Sequence, residues 1–167
     1  MPNPIEQTIL EDIKQRLGYI TAANGYWNNV GSGRVHMKQV EVTSSVAPCV
    51  MVVPQLTEEL EAGESSEACF GETAIRTSLM IGYVVKGQDD DPTKKVSRMI
   101  SDIIRALPHE PTVTVTKVGD TTTTGMYRLL RKGRARNVTE AVPGVYHGQV
   151  NYVIEYSHTV EDDRYVL

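Results

Sequence analysis

The chain has little of what usually announces chemistry. Its 167 residues include two cysteines, one tryptophan and one phenylalanine. Two cysteines, Cys49 and Cys69, are too few for a disulfide scaffold, and a chain of this length buries a core without such staples. Both are expected to be reduced, with their pairing left open. No apolar run approaches the ~20 residues of a membrane span; the longest, 79–85, has strand length. The opening M-P-N-P-I-E-Q has no apolar segment, so a secretory signal is not expected. A soluble protein made in the cytoplasm follows, in which the Asn137-Val138-Thr139 sequon goes unused.

Positive charge is also in short supply. Seventeen basic residues stand against 21 acidic ones, a net charge of −4, mostly interspersed. A dedicated nucleic-acid binder usually carries a strongly basic footprint, so that class is disfavoured. The 40% apolar and 23% charged fractions are those of a soluble globular chain, most simply a single domain over 1–167.

Catalytic and metal-ligating patterns are missing in the same way. The four histidines, His36, His109, His147 and His158, are widely separated and form no H-x-x-x-H set, and the cysteines form no C-x-x-C. No metal or cofactor site is expected. Ser157-His158 beside Glu161 and Asp162 has the residue types of a triad, but neighbours on a strand point to opposite faces. Gly31-Ser32-Gly33-Arg34 lacks the strand before and helix after that a phosphate loop needs, so it reads as a turn. In Asp89-Asp90-Asp91 the last acid suits a helix N-cap better than a cation site. An enzyme is not expected.

What is present is strong patterning over residues 72–107. In T-A-I-R-T-S-L-M-I-G-Y-V-V-K, Ile75, Leu79, Ile81, Tyr83 and Val85 alternate with Ala74, Arg76, Ser78, Met80, Gly82 and Lys86, as on a long strand. A helix then opens at Asp91-Pro92, buries Val96, Met99, Ile100, Ile103, Ile104 and Leu107, and stops at Pro108. An earlier helix starts with Asn3 as cap and Pro4, carries Ile5, Ile9, Leu10, Ile13 and Leu17 on one face, and is stopped by Gly18. Residues 19–33 read as a loop with a short strand near Tyr19.

Further strands are predicted over 34–43 and 49–53, the second continuously apolar and therefore central. Residues 56–70 carry Glu58, Glu59, Glu61, Glu64 and Glu67 and read as an acidic loop or frayed helical turn. Residues 112–118 and 126–130 suggest a hairpin, although Met126, Leu129 and Leu130 also fit a helical turn. A long strand over 145–158 places Tyr146, Val150, Tyr152, Ile154 and Tyr156 on one face. The sum is an α+β domain: an antiparallel-dominated sheet with two helices on one face. Two strands of about a dozen residues reach ~40 Å, and strands that long project toward neighbouring subunits that cover their edges.

One surface stands out. Arg128, Arg131, Lys132, Arg134 and Arg136 form a basic stretch with one aromatic neighbour, Tyr127. Three readings fit it: a solvated face, a protein interface, or a polyanion site. With Arg76 and Met80 of the long strand, these residues are the candidate interface.

The layout resembles a known family. A first helix ending at L-G-Y, a P-x-V-x-V-type strand, a long strand running into a D-P-capped helix V-S-R-M-I-S-D-I-I-R-A-L, and a closing Q-V-N-Y-V-I-E-Y-S-H with an acidic tail recur here in order. Together they resemble the tail terminator (tail-completion) proteins of long-tailed bacteriophages. The resemblance rests on order and pattern, and residues 108–143 run longer than a minimal member needs. It implies a virion protein of the neck, forming a ring of six copies. Such a ring caps the head-proximal end of the tail tube, stops its polymerisation and joins the head-side connector or stopper protein. Genomic DNA passes through the lumen without sequence-specific binding, and no membrane is involved. If the ring's acidic charge faced that lumen, phosphates would be repelled. The alternatives are another neck protein, such as a head-closure subunit, or a small ligand-binding or enzymatic α+β domain.

Overall fold

The strongest periodicities become the two helices. The computed structural model describes residues 5–60, 72–87, 91–116, 122–133 and 139–159. Helix α1 (Ile5–Gly18) buries Ile5, Ile9, Leu10, Ile13 and Leu17, as their spacing requires. Its expected cap, Asn3, lies outside the described residues. The helix ends at Gly18, as expected, but this glycine serves close packing and not a left-handed cap. It is not in the left-handed region; a Cβ there would come within 3.1 Å of the Ser32 Cα. Helix α2 (Pro92–Ala106) opens as predicted, with the Asp91 carboxylate accepting from the Thr93 N–H at 2.9 Å. Val96, Met99, Ile103 and Leu107 are buried, while Ile100 and Ile104 are half-buried.

The strands form one six-stranded sheet and a separate hairpin. In order across the sheet lie β1 (Val35–His36), β2 (Cys49–Leu60), β3 (Glu72–Lys86), β8 (Val145–Thr159) and β6 (Arg128–Lys132), with β7 (Thr139–Val142) also pairing β8. The β1–β2 pair is parallel and all others are antiparallel. β3 and β8 run together from Glu72↔Thr159 to Lys86↔Val145, the full length of both. The hairpin joins β4 (Thr112–Thr116) to β5 (Thr122–Met126). The fold is therefore α+β, a mixed and mostly antiparallel sheet with its helices packed against it.

One face of the sheet makes the main core. Val50, Val52, Leu79, Ile81, Tyr83, Val85, Val150, Tyr152 and Ile154 pack with the buried faces of both helices. On the second face, Cys49, Met51, Val84 and Val145 form a smaller cluster covered by Val40, Val42, Val46 and Ala47. The apolar run C-V-M-V-V is thus explained by burial on both faces, not by a central position. β2 lies next to the sheet's end, touching β1 through only two residue pairs. Pro54 agrees with that, because a residue without an N–H is tolerated where one side of the strand has no ladder.

Several expected boundaries shift. The strand expected over 34–43 shrinks to Val35–His36, and the residues after it act as a cover held by Arg34, which donates to the Val46 and Ala47 carbonyls at 3.3 and 3.1 Å. No strand forms near Tyr19; a 3-10 turn at Ala22–Asn24 takes its place. The acidic segment is not a loop from residue 56, because β2 continues to Leu60. Glu61, Glu64, Glu67 and Cys69 lie outside the described residues. The hairpin's return strand is the threonine run itself, and residues 128–132 form a further strand that joins the main sheet.

Candidate functional site

Alternation divides the predicted interface residues between two faces. Leu129 and Arg131 lie opposite Ile154 and Tyr152, on the helix-covered side. Arg128, Leu130 and Lys132 lie opposite Glu155, Val153 and Asn151, on the second face. Arg131 and Lys132 are exposed, so the basic stretch is two surfaces and not one. Arg134 and Arg136 lie outside the described residues. Arg76 and Met80 belong to the second face with Arg128 and Lys132.

That face carries a charge pattern the sequence could not show. Glu58, Arg76, Glu155 and Arg128 stand directly opposite one another on β2, β3, β8 and β6, so the sign alternates across four strands. Arg76 grips Glu155 with two donors, at 2.9 and 2.8 Å. Arg128 also approaches Glu110 at 3.4 Å. Opposite-sign cross-strand pairs stabilise a sheet by roughly 0.2–1 kcal/mol each and fix its register. Beside this row Met80 and Leu130 are half-buried. Further along, a groove of about 250 Å³ opens between Gln39, Val40, Met51, Met80, His147 and Gln149.

A second constellation was not anticipated. Asp102, only 1% exposed, projects from α2 toward the 19–33 loop. It accepts from the Trp27 N–H at 3.2 Å, the Asn28 N–H at 2.9 Å and the Asn28 side-chain amide at 2.8 Å. One turn to either side, Arg98 and Arg105 lie over the rings of Trp27 and Tyr26, at 4.5 and 4.3 Å from the ring centres. Arg105 also donates to the Gly25 carbonyl at 2.8 Å. Gly25, at φ 77°, supplies the left-handed turn this arrangement needs. Three side chains on one face of α2 therefore hold the loop in place. The available signal was the single tryptophan in an Asn- and Gly-rich loop, with a lone acid between two arginines at helical spacing.

The remaining buried polar network is structural. The Tyr127 hydroxyl donates to Asp12 at 2.8 Å, and Arg16 pairs with the same carboxylate at 2.6 Å, tying the approach to β6 to α1. Burial, and then the Asp12 carboxylate, push the Tyr127 hydroxyl well above its ordinary pKa. Cys49 is a buried free thiol, shifted up by burial and partly restrained by Arg34. Gly31 to Arg34 form a 3-10 turn, with Gly31 at φ 68°. Among the described residues no group of three His, Cys, Asp or Glu side chains is arranged to hold a metal ion, and no helix is long and apolar enough to cross a membrane. No protein-family model matches the chain, and no curated protein matches it either.

Proposed function

We propose that this chain is a structural virion subunit of the tail-terminator kind, acting in a ring at the head-proximal end of a phage tail tube. There it stops tube polymerisation and offers a joint to the head-side connector. The observation that carries this reading is the second sheet face. Half-exposed apolar residues, Met80 and Leu130, lie beside a four-strand row of alternating charge, next to a β2 that is exposed from Pro54 to Glu59. Surfaces of that make-up suit protein–protein contact, where apolar area supplies affinity and charge sets register. The α+β layout of two helices on a sheet with two fifteen-residue strands agrees with the family pattern.

Electron microscopy of the purified protein, alone and mixed with tail tubes, tests the proposal. Homogeneous rings that bind one end of the tube are expected. A protein that stays monomeric and ignores tubes would refute it, and rings that bind a head-side connector but no tube would reassign it to another neck position.

A further inference from the structure

Among the described residues, four large apolar side chains are exposed: Tyr19, Trp27, Leu56 and Val142. Two of them sit in surroundings of opposite charge. Trp27 is 67% exposed although its loop is held by three hydrogen bonds to a buried carboxylate. Arg98 of α2 lies over its ring and Arg105 over that of the adjacent Tyr26, while the helix's one acid, Asp102, is spent inside. Leu56 is 57% exposed at the β2 bulge, where Pro54 pairs with Leu79 but Thr57 pairs with Thr77, leaving one extra residue. Glu58 and Glu59 follow it, both exposed and on opposite faces of the strand, so that they flank its outer edge. The Thr57 hydroxyl donates to Glu6 at 3.3 Å, which brings a third carboxylate to the same end. Arg76, opposite Glu58, is bonded to Glu155. No described strand pairs the outer side of β2 beyond Met51.

We propose that these patches are the two halves of one head-to-tail contact between copies of this chain. Leu56 of one copy packs on the indole of Trp27 in the next, and Glu58 and Glu59 face Arg98 and Arg105. A rigid aromatic in a fixed loop loses little freedom on docking, which is why such residues anchor interfaces. The charges around it reject the reverse pairing, since cationic patch against cationic patch and acidic against acidic both repel. Because the patches differ, each copy uses both once, and the contact propagates into a closed ring or an open filament instead of ending at a pair. This inference rests on the assembly reading above and supplies its subunit joint.

The chain's single tryptophan reports on the joint directly. Acrylamide quenching of the full-length protein is measured across a concentration series, alongside sedimentation. Assembly is expected to bring a blue-shifted emission and a severalfold drop in quenching. Arg98→Glu alone, and Glu58→Lys with Glu59→Lys alone, should each block assembly, while an equimolar mixture of the two variant proteins restores it, since one joint is then wild-type and the other has its charges exchanged. Leu56→Ser, at an exposed site, should weaken assembly with an unchanged circular dichroism spectrum. Rings in which Trp27 stays as quenchable as at high dilution overturn this joint and leave the assembly reading standing. A chain that remains monomeric at every concentration overturns both.

Discussion

At position 102 a carboxylate buried to 1% exposure satisfies two backbone N–H groups and one side-chain amide of a loop more than seventy residues away. Removing it strips the acceptor from three part-buried donors. Hydrogen bonds to a charged group are worth more than neutral ones, and an orphaned buried donor costs its full desolvation. Asp102→Ala is expected to destabilise the fold by about 2–4 kcal/mol. A urea titration followed by circular dichroism measures that loss, and the emission of Trp27 should report loosening of the loop. A smaller loss for Asp102→Asn, which keeps one acceptor, would distinguish bonding from packing. The sequence hid this residue because it flanks the apolar stripe of α2, where an acid reads as solvated. Only the return of the 19–33 loop onto the helix makes it an interior group.

Among the elements, α2 was the most legible, since its cap, proline, apolar period and stop all agree. The Asp91 cap closes one of the helix's open N–H groups. Asp91→Ala should therefore cost about 1 kcal/mol, read as a lower urea midpoint with an unchanged slope. Elements at the sheet's margins were less legible. Val40 and Val42 alternate as a strand would, yet they satisfy that pattern by covering Cys49 and Met51 without joining a ladder. Glu58 and Glu59 look like loop residues because the far half of β2 has little to bury against, and side-chain polarity there says nothing of backbone pairing. The candidate interface suffered likewise. A basic stretch is contiguous in sequence, but strand alternation sends Arg131 to one side and Arg128 and Lys132 to the other.

For the molecule as a whole, the core sets an alkaline limit. Burial raises Tyr83 and Tyr152 from 10.0 to about 12, and Tyr127 further still. A raised acid is neutral in the folded chain and ionises more readily once unfolded, so the unfolded state loses protons first. The tyrosine contribution is therefore intact below pH 10 and is lost as the pH climbs from 10 toward 12 and beyond. Urea midpoints should hold steady to about pH 10 and then fall, while phenolate absorbance rises in two steps, exposed tyrosines first and buried ones with unfolding. Tyr152→Phe should make the fall shallower. A midpoint unchanged at pH 12 would contradict these burials. The pairing of β3 with β2 on one side and β8 on the other also has a mechanical meaning. Hydrogen bonds in such ladders lie across the strands. A pull along β3 loads both rows in shear, and they share it; a pull at right angles opens them one by one, like a zip. The sheet is a plate with a grain, and the direction of a load on it matters as much as its size.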